Sequence, residues 1–154
     1  MGASTANRYD IRQVAQARPS VPVAGSTKIY AGIAVAINAS GYLVPVTDAV
    51  GLQFWGISEQ YVDNSGSVTD GALSCSVSGV SGGNLGIIEI NAVSPTQAWV
   101  GQEVAFTDDH TVALLASTTH VVRCGRVVSV SATGTSGKVL VDTTFTPAAV
   151  IPGS

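Results

Sequence analysis

The run Ile29-Tyr30-Ala31-Gly32-Ile33-Ala34-Val35-Ala36-Ile37 is followed by Asn38-Ala39-Ser40-Gly41 and then by Tyr42-Leu43-Val44-Pro45-Val46-Thr47. Ile29, Ala31, Ile33, Val35 and Ile37 recur at every second position, the period of a β-strand whose side chains point alternately to its two faces. The intervening residues, Tyr30, Gly32, Ala34 and Ala36, leave the other face without a strongly polar group. The Asn-Ala-Ser-Gly segment has turn chemistry, so the stretch predicts a hairpin. An antiparallel sheet ordinarily wets one face. A strand with two apolar faces therefore calls for a second body, and the expectation is another copy of the chain.

The same period continues outward. Residues 53–62 alternate Trp55, Ile57, Glu59 and Tyr61 against Phe54, Gly56, Ser58 and Gln60, and residues 63–66 read as a loop. Leu73, Cys75 and Val77 face away from Ser74, Ser76 and Ser78. Residues 79–83 read as a glycine-rich turn and 86–93 as a strand that Ser94-Pro95 ends. Residues 98–106 read as a strand with a bulge at Gly101, and Asp108-Asp109 as a turn before 112–115. Residues 121–130 and 138–142 pair across the segment between them. The reading is eight or nine short strands in a single all-β domain, an antiparallel β-sandwich or β-barrel, with no tandem repeat, no interdomain linker and no long helix. Residues 1–24, with Pro19 and Pro22 near their end and a helical turn expected at 9–17, read as an extended N-terminal arm. The domain spans 25–145, and 146–154, with Pro147 and Pro152, form an extended tail.

Composition agrees. The 154 residues include 23 Val, 9 Ile and 14 Thr, whose β-branched side chains suit a pleated sheet. Charged residues are 11% of the chain, against roughly 25% in ordinary domains, and mean hydropathy is +0.36. Such a chain is not intrinsically disordered, and part of its surface is weakly polar or covered by a partner. Residues 29–122 contain eight acids and no Lys or Arg, whereas Arg8, Arg12, Arg18 and Lys28 make the amino-terminal part basic. An acidic body argues against nucleic acid as a partner, and the basic segment reads as a docking arm. The first 20 residues lack the apolar core of a secretory signal, and no apolar run approaches the roughly 20 residues of a membrane helix.

Several motifs carry chemistry in other contexts. Gly79-Val80-Ser81-Gly82-Gly83 matches G-x-S-x-G, but a nucleophile elbow needs a helix after the strand, and residues 84–90 read as another strand. Ser81 therefore reads as a turn residue, with a small serine hydrolase as the minor alternative. Cys75, His110, His120 and Cys124 are the soft metal ligands, and their spacing fits no zinc motif. Both cysteines sit among apolar residues and read as buried, reduced thiols. Asp108-Asp109-His110 reads as a solvated turn. Glu59, Asp63 and Asp70 follow no ligand spacing, and Trp55 and Trp99 read as core residues before a sugar-stacking platform. No catalytic residue, cofactor or metal is expected.

The order of Ala31-Gly32, Gly41-Tyr42-Leu43-Val44-Pro45, Gly56-Ile57-Ser58-Glu59, the run from Val100 to Asp108, and Cys124-Gly125-Arg126-Val127-Val128 before a closing strand at 139–142 resembles capsid decoration (cement) proteins of tailed bacteriophages. The resemblance covers about residues 25–145. It implies a β-tulip-like sandwich or barrel and no catalytic residues. It also implies a homotrimer that binds the outer surface of the major capsid protein, stabilises the mature head and is located on the virion. Arg8, Tyr9, Ile11, Arg12 and Arg18 are the candidate capsid-binding residues of the arm. A head-fibre base or a receptor- or glycan-binding module of a tail is the alternative.

Overall fold

The computed structural model describes residues 20–79 and 85–144. The expected hairpin is present: β3 (Ala34–Ile37) pairs antiparallel with β4 (Leu43–Pro45), with Ile37 opposite Leu43. The strand leading into it is shorter than its alternation suggested. β2 (Thr27–Ile29) ends at Ile29, and Gly32, at φ 80°, turns the chain before β3 begins. Residues 53–62 divide likewise into β5 (Gln53–Ser58) and β6 (Val62–Asn64), and β6 leaves its neighbour to pair with β2. Asn64, expected in a loop, is buried, and its Nδ2 donates to the carbonyls of Ala24 at 3.0 Å and Thr69 at 3.2 Å.

The remaining strands are β1 (Ser20–Pro22), β7 (Ser74–Ser78), β8 (Ile87–Ala92), β9 (Glu103–Phe106), β10 (Thr111–Leu114), β11 (Arg123–Ala132) and β12 (Gly137–Asp142). Residues 98–102, expected as strand, instead form a 3₁₀ turn, Gln97–Trp99, and a bend at Gly101. One sheet has the order β1-β7-β5-β3-β4, and a parallel bridge between Val23 and Leu43 joins its two ends. The other strands form a closed barrel, β8-β12-β11-β9-β10, sealed by a parallel pairing of β10 with β8 that includes Ala92 opposite Val112.

These two bodies are the same fold twice, which corrects the expectation that the chain contains no repeat. Val35 pairs with Gly56 and Ala36 with Phe54; Val104 pairs with Gly125 and Ala105 with Arg123. From Val35 to Val104, and from Gly56 to Gly125, is 69 residues. The same shift carries Ile37–Leu43 onto Phe106–Val112 and the Val23–Leu43 bridge onto Ala92–Val112. It also carries the Gly32 amide bond to the Ser58 carbonyl onto that from Gly101 to Val127. β7 maps onto β12 with a shift of 64, so the first barrel carries five more residues between its fourth and last strands, β5 and β7. Each barrel has a bulge at the same place, and the glycine beside it admits no side chain. A Cβ on Gly56 would lie 2.2 Å from the Ser78 carbonyl oxygen, and one on Gly125 would lie 2.2 Å from that of Asp142.

β3 shows how the two barrels meet. Val35 joins the interior of the first barrel with Val21, Val23, Leu43, Cys75 and Val77. Ala34 and Ala36 point the other way and, with Val46 and Phe54, join a core cluster that includes Val104, Phe106, Val112, Val139 and Val141 of the second. The apolar second face is thus covered by the rest of the same chain. Phe54 meets Phe106 with ring centroids 4.7 Å apart, and the Ala34 amide donates to the Asp109 carbonyl at 2.8 Å. Asp48 ties a second point, accepting from the amides of Thr119 at 2.8 Å and His120 at 2.6 Å. Those two bonds hold its carboxyl below the usual range.

The domain begins before residue 25, because Val21, Val23 and Ala24 are buried and β1 is part of the first sheet. The expected helical turn at 9–17, the arm residues Arg8, Tyr9, Ile11, Arg12 and Arg18, and the tail at 146–154 lie outside the described residues.

Two outcomes follow. Gly56→Ala and Gly125→Ala are each expected to destabilise the protein by about 3 kcal/mol, the upper part of the range for forcing atoms into packed space. Gly66→Ala, with open space around it, is expected to stay within about 0.5 kcal/mol of wild type in denaturant titrations. A truncation ending at residue 19 is expected to keep the wild-type melting temperature. One ending at residue 24 removes about 3 kcal/mol of apolar burial and is expected to melt roughly 6–12 °C lower by circular dichroism.

Candidate functional site

Four charged or titratable side chains gather at one opening between the barrels. A cleft of about 340 Å³ is walled by Gly32, Ala34 and Ile57 of the first barrel and by Ile88, Ile90 and Asn91 of the second, with Glu89, Asp109, His110 and Lys138 around it. Lys138 Nζ lies 3.9 Å from Glu89 Oε1. His110 Nδ1 lies 2.7 Å from Asp109 Oδ1 and 3.2 Å from Asp108 Oδ1. The hydrogen bond to Asp109 raises the His110 pKa. Asp108 Oδ1 also accepts the His110 amide at 2.9 Å, which closes the turn between β9 and β10. Charges here pair with one another, and among the described residues no Ser, Thr or Cys lines the cleft.

Asp108, Asp109 and His110 are also the one group of three or more metal-binding side chains drawn together among the described residues. All three belong to the β9–β10 turn, Asp108 and Asp109 half-buried and His110 exposed, and their side chains contact one another. The four soft ligands are not assembled: Cys75 belongs to the first barrel's interior and Cys124 to the second's. His110 sits in the β9–β10 turn, and His120 lies beside Asp48. Burial raises the Cys75 thiol pKa and pushes that of Cys124 up to about 12. Asp63 pairs with Lys28 at 3.9 Å, and Asp70 accepts the Gly25 amide at 2.8 Å, so the expected acidic residues serve separate local contacts. Trp99 packs into the larger core cluster and Trp55 against the other, which leaves no aromatic platform between them. Ser81 lies outside the described residues; the strands flanking it, β7 and β8, have eight residues between them.

A second surface was not legible in the sequence. β2 and β6 pair with Ile29 opposite Val62, so Tyr30 and Tyr61 meet at the next rung. Their ring centroids are 5.5 Å apart at a 45° tilt, and they are 56% and 52% exposed. The Tyr61 hydroxyl donates to Asp63 Oδ2 at 3.3 Å, and Ser58 Oγ donates to the Tyr30 carbonyl from below. The repeat supplies the comparison. The shift of 69 residues places Tyr30 on Trp99, which is 7% exposed. The second barrel thus turns its aromatic inward, whereas the first turns its own out beside another. The segment that carries the extra five residues also holds Val68 and Leu73, both exposed. Alternation alone hides this pair, because Tyr30 and Tyr61 meet only once the chain breaks at Gly32 and again after Ser58.

No protein-family model matches the chain, and neither the curated proteins nor the solved structures include a match. Among the described residues no helix is long and apolar enough to cross a membrane.

The two thiols give a direct check on the cores. Iodoacetamide at pH 8 is expected to leave both unmodified in the folded protein, since the thiolate is the reactive form and burial suppresses it. In denaturant without reductant, both are expected to react. A mass showing a Cys75–Cys124 disulfide would contradict the separate placement of the two residues.

Proposed function

We propose that this is a structural virion protein: a capsid decoration protein of a tailed bacteriophage that binds the outer surface of the major capsid protein, as a homotrimer, and stabilises the mature head. The observation that carries the binding reading is the Tyr30–Tyr61 pair. Two half-exposed aromatic rings on a ribbon that the second barrel lacks add nothing to the interior, and aromatic side chains of this kind anchor protein interfaces. The low charge content of the chain supports the same reading. The phage assignment and the trimer rest on the sequence resemblance, whose motifs fall on the turn before β3 and on β4, β5, β9, β11 and β12. Residues 1–19, with Arg8, Tyr9, Ile11, Arg12 and Arg18, supply a second, basic contact.

The physical role is differential binding. A clamp that contacts several capsid subunits binds the expanded shell better than the unexpanded one and shifts the equilibrium towards it by mass action. A closed trimer multiplies modest contacts into slow dissociation. Catalysis has no part in this proposal.

Quantitative mass spectrometry of purified virions tests it. Copy numbers on the order of hundreds are expected; a dozen or fewer would point to a fibre or tail component, and none would end the proposal. With empty expanded capsids, Tyr30→Ser/Tyr61→Ser is expected to weaken binding by about tenfold or more at unchanged melting temperature. Truncation at residue 19 is expected to weaken it further and to reduce its salt dependence.

A further inference from the structure

The contact between the barrels joins two different surfaces. One is the outer face of β3 and β5, where Ala34, Ala36 and Phe54 project from the first barrel. The other is the β9–β10 end of the second barrel, where Phe106 meets Phe54 and the Asp109 carbonyl accepts the Ala34 amide. Because the barrels are copies, each surface has a counterpart that this contact does not use. The counterpart of the receiving end is the β3–β4 turn, with Ile37 and Ser40 in the places of Phe106 and Asp109; Ala39, Ser40 and Gly41 are exposed. The counterpart of the apolar face is the outer face of β9 and β11, where Glu103, Ala105 and Arg123 stand in the places of Ala34, Ala36 and Phe54.

Ala105, like Ala36, is fully buried within the chain, so the open part of this face lies at Glu103 and Arg123. The other two positions have changed from a methyl group and an aromatic ring to an ion pair between Glu103 and Arg123, with side chains 21% and 47% exposed. An exposed pair of this kind contributes little to stability. Covering it with another barrel, as Ala34 and Phe54 are covered, would strip both ions of water at a cost of several kcal/mol. A head-to-tail contact also has no built-in end: repeated from chain to chain it closes into a ring or runs on as a filament. Stacked repeats are ordinarily stopped by a polar outer face on the last one.

We propose that the outer face of β9 and β11 is a latent docking face for the β3–β4 turn of a second copy of this chain, and that the Glu103–Arg123 pair holds it shut. The pair stops the stacking at two barrels. Any homo-oligomer of the wild-type chain then forms through other surfaces. The inference does not depend on the capsid reading.

The test restores the first barrel's residues. Glu103→Ala/Arg123→Phe is compared with wild type by light scattering coupled to size exclusion. At about 100 µM the weight-average mass is expected to be at least about twice that of wild type and to rise with concentration. Glu103→Ala/Arg123→Ala serves as a milder variant that decides the matter if the first does not fold, and it is expected to shift the mass in the same direction. Adding Ser40→Arg on the receiving turn is expected to return the mass to the wild-type value. If a variant with native circular dichroism keeps the wild-type mass throughout, the face is not a docking surface and the proposal fails. Growth that Ser40→Arg leaves untouched overturns the head-to-tail assignment.

Discussion

β3 leaves no side for water. Val35 faces the interior of its own barrel, and Ala34 and Ala36 face the core cluster of the other, so one four-residue strand belongs to two packed bodies. The small size of the two alanines matters here. A barrel wall that must also serve as a contact surface has to let a neighbour approach, and alanine permits this while Phe54, cross-strand from Ala36, fills the gap that remains against Phe106. The rest of the arrangement follows from this wall. Asp48 binds the 119–120 amides beside it, the cleft opens along it, and the two interiors remain separate although the barrels touch.

Duplication gives the molecule its own control experiment. Where the two barrels agree, the backbone demands it: the bulge beside Gly56 and Gly125, the bends at Gly32 and Gly101, and the parallel rung that seals each barrel. Where they differ, the difference lies in what faces outward. Tyr30 is out and Trp99 is in. Ala34 and Phe54 are covered, while Glu103 and Arg123 are wet. A repeated ladder therefore separates the residues that make the barrel from those that decide what it touches. The second group leaves an aromatic pair exposed on the ribbon of the first barrel and an ion pair in water on the matching face of the second.

The acidic character of residues 29–122 also acquires local meaning. Asp48, Asp63 and Asp70 each accept backbone amides at loops, and Glu89 and Glu103 pair with basic side chains on neighbouring strands. These acids organise turns and strand faces and do not converge on one centre. A chain with few charges uses those it has as loop fasteners and as markers of the faces that stay in water.

Much of the fold was legible in the sequence. Alternation and β-branched composition require strands, because a two-residue period fits only a pleated backbone, and the 38–41 turn with its flanking runs requires a hairpin. The burial of Cys75 and Cys124 followed from their apolar neighbours. The repeat was not legible. A β-ladder constrains a few backbone positions strictly and the side chains only by size and polarity, so Gly32, Val35, Ala36 and Gly56 recur as Gly101, Val104, Ala105 and Gly125 while most of their neighbours do not. For the same reason the apolar second face of the 29–37 run required a covering body, but the expectation that this body is another copy of the chain is corrected by the structure, in which the second barrel of the same chain covers it. Local pattern fixes which faces must leave water. Only the folding of distant segments against one another decides what covers them, and here it brings Phe106 to Phe54, Tyr61 to Tyr30 and Arg123 to Glu103, partners separated by at least 20 residues of chain.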